Sequence, residues 1–158
     1  MGKPVTTDSA LFASLYPALR RFAAVTGPVE AEPDDLVQEA VARTLRQHRL
    51  VDLDDAGAYL RRAIVNLAAN QRRSKARWRL AVARLDRDET KTDSYASDLD
   101  DLLQLPPDDR ALLFMVEVEG HSYAEAAVVL GTTEEAARTR AARARKRLRA
   151  GLEGTTDE

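Results

Sequence analysis

The stretch SYAEAAVVLGTTEEAARTRAARARKRL, Ser122 to Leu148, decides how the chain is read. It opens on Ser122-Tyr123-Ala124-Glu125, a capping box in which the serine oxygen and the glutamate carboxylate satisfy the first free amides of a helix. A short helix is expected to Leu130, then a turn at Gly131, then a new start at Thr132-Thr133-Glu134-Glu135. Ala127 is the small residue where two helices approach closely, and the second helix places Ala137, Ala141, Ala144 and Leu148 on its buried side. Thr133, Glu134, Arg138, Thr139, Ala142 and Arg143 are left facing outward. This spacing is that of a helix-turn-helix, whose second helix enters the major groove by its N-terminal half. Arg138 and Thr139 then fall to base edges, since arginine bonds both acceptors of guanine, and Glu134 can accept from cytosine. Arg143, Arg145, Lys146, Arg147 and Arg149 lie further along and suit phosphates. A plain helical hairpin with a basic end is the competing reading. The ordered occurrence of cap, small residue, glycine and arginines weighs against it.

Working upstream, regular signals begin at Pro106-Pro107, and a helix carrying Leu112, Leu113, Met115 and Val116 is expected to Gly120, with Met115 as core filler. Near the N-terminus Leu11, Leu15, Leu19 and Phe22 recur at helical spacing. Pro17 sits inside that pattern and is expected to break or kink it, because proline removes a donor and clashes with the preceding turn. Gly27-Pro28 ends the element. The next helix opens at Pro33 and carries the stripe Leu36, Val37, Ala40, Val41, Thr44 and Leu45. Asp54 and Asp55 mark a third start before Ala56. From there Leu60, Ala63, Ile64 and Leu67 form one face, with Arg62, Asn66, Asn70, Arg73 and Arg77 roughly opposite. No repeat and no strand pattern emerges, so the fold class is all-α.

After Arg84 the periodicity stops. Residues 86–101 are acidic and polar without a sustained period, which reads as a flexible linker. The chain therefore divides into a first helical domain at 1–84, a flexible acidic linker at 85–104 and a helix-turn-helix domain at 105–158. From Arg79 to Pro106 the chain reaches on the order of 90 Å when extended. Two turns of DNA need about 70 Å. Such a linker lets two small domains meet well-separated parts of one duplex.

Composition narrows the function classes. The 158 residues include no cysteine and only two histidines, His48 and His121, which excludes thiolate chemistry and a histidine-rich metal site. No cofactor, metal or catalytic residue is expected. The paired carboxylates Asp54-Asp55 and Asp100-Asp101 sit at a helix start and in the linker, where solvated charge accounts for them. No apolar run approaches membrane-spanning length and none follows a basic N-terminal stretch, so a soluble, cytoplasmic protein with no membrane partner is expected. The net charge of −2 conceals two acid-free basic runs. One contains Arg61, Arg62, Arg72, Arg73, Lys75, Arg77 and Arg79; the other contains Arg138, Arg140, Arg143, Arg145, Lys146, Arg147 and Arg149. Acids gather instead between Glu30 and Glu39 and between Asp86 and Asp101.

The segment LPPDDRALLFMVEVEGHSYAEAAVVLGTTEEAARTRAARARKRL, from Leu105, resembles the fourth conserved region of an extracytoplasmic-function sigma factor. DDLVQEAVARTL from Asp34 and AYLRRAIVNLAANQRR from Ala58 resemble the second region of the same family. Both occur in the family's order. The resemblance implies a transcription initiation factor that binds core RNA polymerase through its β′ clamp helices and β flap, and recognises promoter DNA. Asp35, Gln38 and Glu39 would make the polymerase contact. The third helix would engage the minus-ten element with Arg62, Asn66, Asn70, Arg73, Arg77 and Trp78, and residues 50–57 offer material for a pocket that takes a flipped base. Tyr59 is read as core packing. Trp78 stacks on a base or covers an apolar edge, and the sequence leaves both open. The recognition helix would read the minus-thirty-five element. Val41 and Arg46 replace aromatics usual in the docking helix, and the alanines of the recognition helix leave few side chains for bases. An anti-sigma factor is a common partner in the family, although nothing in the sequence demands one. A conventional regulator that binds DNA alone would leave residues 58–79 without a task.

Overall fold

The computed structural model describes residues 6–85 and 102–154, and no strand occurs among them. Thr7 caps the first helix, α1 (Asp8–Thr26), its hydroxyl accepting from the Ala10 amide at 3.1 Å. α1 runs through Pro17 uninterrupted, contrary to the expected break. Pro17 and Ala13, whose carbonyl loses its amide partner, both lie on the exposed face, where solvent can serve that carbonyl. At the end of α1, Gly27 is required by close packing: a Cβ there would collide with Leu36 Cδ1 and stand 2.9 Å from the Ala23 carbonyl oxygen.

α2 (Pro33–Leu45) begins with proline at its first position, as expected. Leu36, Val37, Ala40 and Thr44 are buried, whereas Leu45, expected in the stripe, is exposed. Thr44 takes the inward place at this last turn and ties its hydroxyl back to the Ala40 carbonyl at 2.8 Å. A 3₁₀ turn at Leu50–Asp52 buries Leu50, and the Val51 amide donates to Asp8 Oδ1 at 3.0 Å, which pins the connection to the start of α1. α3 (Ala56–Leu85) starts where Asp55 Oδ1 accepts from the Ala58 amide at 2.9 Å. Its buried side includes Leu60, Ile64 and Leu67 and widens to Val65 and Ala68. The widening follows from packing: α3 meets α1 and α2 on one side and the second half of the chain on the other.

Residues 86–101, which hold most of the expected linker, lie outside the described residues. The second half opens with helical residues 102–104 and continues as α4 (Pro107–Leu113). In place of a uniform helix to Gly120, α4 passes into a π-helical turn over Phe114–Val118, for which the sequence carries no signal. Met115 is fully buried, as core filler should be. The capping box forms: Ser122 Oγ accepts from the Glu125 amide at 3.1 Å, and Glu125 Oε2 accepts from the Ser122 amide at 2.7 Å. α5 (Tyr123–Leu130) ends at Gly131, whose φ of 65° is the left-handed cap that favours glycine. Thr133 then caps α6 (Glu134–Gly154) by accepting from the Ala136 amide at 3.2 Å. Ala127, Ala137, Ala141 and Ala144 are buried where α5 and α6 approach, the expected helix-turn-helix seam.

Two small helical bodies of this size bury little surface alone. Here each covers the other, and one apolar core runs from Leu19 and Phe22 to Leu112 and Met115. Phe22 of α1 meets Phe114 at 6.3 Å between centroids, and the Arg61 guanidinium lies over the Phe22 ring at 5.7 Å. Arg61 also donates to both carboxylate oxygens of Glu119 at 3.2 and 2.9 Å, a bidentate pair in which both side chains are mostly buried. Arg110 of α4 reaches furthest. Its Nε and Nη2 donate to the carbonyls of Val25, Thr26 and Gly27 at 2.9, 2.6 and 3.2 Å, and its Nη1 to those of Leu103 and Leu105 at 3.0 and 2.7 Å. α1 has no basic residue in its last turn, so the cation that its C-terminal carbonyls favour comes from the other half of the chain. Burial pushes the Arg110 guanidinium below its ordinary pKa, and the Arg72 charge adds to this.

Candidate nucleic-acid interface

On α6 the buried alanines turn Thr133, Glu134, Arg138, Thr139, Ala142 and Arg143 outward together, as their spacing predicts. Arg138 is not a free arm. Its Nη2 donates to Glu134 at 2.6 Å one turn earlier, and its guanidinium lies 5.1 Å from the Tyr123 ring centroid. The Glu134 hydrogen bond, with its charge, holds Arg138 above the ordinary arginine pKa. Glu134 is thus engaged by Arg138 in this structure.

The other cations of α6 divide into two sets. Arg140 bonds Asp109 at 2.8 Å, and Arg145 bonds Glu117 through Nε at 2.8 Å and the Tyr123 hydroxyl at 2.8 Å. These two tie α6 to α4 and α5. The Tyr123 hydroxyl first and Glu117 second hold Arg145 above its ordinary pKa. Arg143, Lys146, Arg147 and Arg149 are exposed and form no ion pair among the described residues. Of the cations assigned to phosphate from sequence, Arg145 is therefore the one that faces inward.

α3 presents the second basic surface. Arg62, Asn66, Asn70, Arg73, Arg77 and Trp78 are all exposed. Arg73 donates to Asn70 on the same face. Trp78 is 71% exposed, so it covers no apolar edge in this structure. Tyr59, read from the sequence as core, is 38% exposed and packs edge-on against His48 at 5.7 Å. Its place one position before the buried Leu60 turns it out of the core stripe. Lys75 is taken up by Glu30 at 2.6 Å, a bond that draws the Glu30 carboxyl below the usual range.

On α2, Asp35 and Gln38 are exposed, while Glu39 bonds Arg43 at 2.6 Å. Asp34 turns aside to accept from Tyr16, which raises the Tyr16 hydroxyl pKa, and from Arg20 at 3.1 Å. Sequence reasoning passed over Arg110, Glu119 and Tyr123. Arg110 carried a weak signal as a lone cation before an apolar run; the other two become visible only once the halves and helices are packed.

The chain matches the family model for Sigma-70 region 2 over residues 11–79 and that for Sigma-70, region 4 over residues 102–148. It is 31% identical over 146 residues to the ECF RNA polymerase sigma factor SigM of Mycobacterium tuberculosis, covering 87% of this chain and 73% of that protein. The chain belongs to the ECF sigma factors. Its fold matches that of the sigma factor RpoE solved with the anti-sigma factor NepR from Bartonella quintana, at a TM-score of 0.70 and 23% identity over 95% of this chain and 98% of that one. CnrH, solved with the cytosolic domain of CnrY, gives 0.63 and 27% over 96% and 89%. As an ECF sigma factor the protein binds core RNA polymerase, recognises promoter DNA and directs transcription initiation, within a family of initiation factors that are not catalytic. No described helix is long and apolar enough to cross a membrane.

Proposed function

We propose that this sigma factor meets its promoter with two surfaces that work apart. The exposed face of α3, with Arg62, Asn66, Asn70, Arg73, Arg77 and Trp78, takes the minus-ten element. Arg138 and Thr139 of α6 take base edges of the minus-thirty-five element, with Arg143, Lys146 and Arg147 on phosphates. Asp35, Gln38 and Glu39 dock on the β′ clamp helices, and the second domain on the β flap. Residues 1–84 and 105–158 are the working units, joined through 85–104. The protein acts in the cytoplasm, where its polymerase is, and carries no catalytic group of its own.

The observation that carries this reading is one exposed basic face in each half of the chain, with Asp35 and Gln38 exposed on α2. The packed arrangement also implies a step. Arg62 lies against Gly131, so the two faces sit in one body, whereas elements two DNA turns apart are separated by about 70 Å. A cavity of about 190 Å³ beside Asp55, Ala58 and Arg61, next to the loop assigned to the flipped base, is also lined by His121, Glu125, Val128 and Val129 of the second half. The halves therefore part when promoter is bound, and the packed form is the resting one. An anti-sigma partner that grips the packed form belongs to this reading, supported by relatives solved with protein partners. Run-off transcription with core enzyme on the protein's own promoter tests it: initiation that depends on both is expected, and absence of core-dependent initiation overturns it.

A further inference from the structure

Tyr123 stands where two arginines of α6 converge. It is the first residue of α5, directly after the Ser122 cap, and the capping box fixes the backbone there with two hydrogen bonds. The half-buried ring packs against the apolar core. The Arg138 guanidinium lies 5.1 Å from the ring centroid, within cation–π range, and the hydroxyl accepts from Arg145 at 2.8 Å. Glu134 also accepts from Arg138, at 2.6 Å.

We infer that Tyr123 is the positioning residue of promoter readout, its ring preorganising Arg138 for a base edge. This rests on α6 being the recognition helix. An arginine on an alanine-rich surface has many rotamers and few neighbours, and a contact that orders it must offset that freedom. Ala142, one turn after Arg138, offers no lateral support, and Glu134 alone leaves the guanidinium free to swing about a single carboxylate. A ring beneath it, held by a cap on a different helix, removes that freedom before DNA arrives. The alanine-rich helix can then discriminate with few side chains because its main reader is already aimed. Tyr123 itself touches no base in this scheme.

The test uses the full chain, bound to core enzyme, selecting from a duplex library randomised across the upstream element. Arg138→Ala identifies the base position that Arg138 reads. Tyr123→Met fills similar apolar space without a ring and is expected to reduce preference at that position about 2- to 5-fold, with overall affinity changing far less. Tyr123→Phe keeps the ring and is expected to keep the preference. On the Arg138→Ala background, Tyr123→Met is expected to add nothing at that position. A purely structural role would weaken every sequence alike and leave the preference intact, which overturns the inference while α6 stands as the reader. Loss of preference in Tyr123→Phe equal to that in Tyr123→Met overturns it too. An Arg138→Ala variant with unchanged preference overturns both the inference and the assignment of Arg138. In the unmutated chain, NMR resonances of the Arg138 side chain are expected to be displaced by the Tyr123 ring current; ordinary values overturn the stacking even if the variants fail to fold.

Discussion

α3 and α6 are both long, arginine-rich helices, yet they use their charge differently. Along the C-terminal half of α3, Arg72, Arg73, Arg77 and Arg79 stand exposed without a carboxylate partner among the described residues, and Lys75 alone is paired. Along α6, Arg138, Arg140 and Arg145 are each bonded to an acid, and the unpaired cations begin at Arg143 and cluster after Lys146. A count of arginines therefore overstates the unpaired cations of α6 and describes those of α3 better. The difference has a structural cause. α6 must be held to a small body of short helices, and its inward arginines provide that hold, whereas α3 is anchored by Leu60, Ile64 and Leu67 and leaves its far end to solvent.

The largest effect is expected where a cation belongs to neither surface. Arg110→Ala removes five hydrogen bonds to carbonyls, three of them at the end of α1, and should lower stability to urea by about 3 kcal/mol. Arg110→Lys should recover little, because an ammonium cannot supply the planar fork. A loss no larger than that of a surface arginine would mean that the halves are not clasped there.

Next comes Arg61, a residue of the first basic run that serves the seam. Arg61→Glu or Glu119→Arg alone should loosen the seam by about 2 kcal/mol and enlarge the free protein in small-angle scattering, and the double exchange should restore most of the compactness. If the single exchanges leave the dimensions unchanged, Arg61 belongs with the free cations of α3.

Salt dependence then separates the two sets on α6. Arg147→Ala should reduce the slope of log affinity against log salt by about 1, as a lost phosphate contact does. Arg145→Ala should leave the slope unchanged and cost about 1 kcal/mol of stability at most, since the pair is only partly buried. Equal slopes for the two variants would erase the division.

The smallest effect is acidic. The Ser122 amide holds the Glu125 carboxyl below the usual range, so its folded-state pKa is depressed. Its stabilisation is complete above the unfolded value, about 4.3 for glutamate, and disappears as pH falls through the lower folded value. Wild type should exceed Glu125→Gln in urea midpoint near neutrality and converge with it in acid; a difference that is the same at both pH values would contradict the ionised capping box.

Most of the architecture was legible because it rests on local chemistry. The cap at Ser122, the glycine at Gly131 and the alanine spacing of α6 are each decided within a few residues, and the structure keeps all three. Pro17 was misjudged because the cost of a proline depends on which way its orphaned carbonyl faces, a tertiary fact. The partners of Arg145 are not legible locally, because Glu117 and Tyr123 lie on other elements. The pairing of Arg110 with the end of α1 spans more than eighty residues of sequence, and local pattern does not reach that far.

In the proposed cycle, a body closed by Arg61, Glu119 and Arg110 at rest must open to work. The chain has no cysteine, so Ala13→Cys in α1 and Ala150→Cys in α6 allow clean paired spin labels on exposed positions of the two halves. The distance between them should be short and narrowly distributed in the free protein. It should lengthen by tens of ångströms when core polymerase and promoter are added, as elements about 70 Å apart demand. An unchanged distance in a complex that initiates transcription would contradict the account.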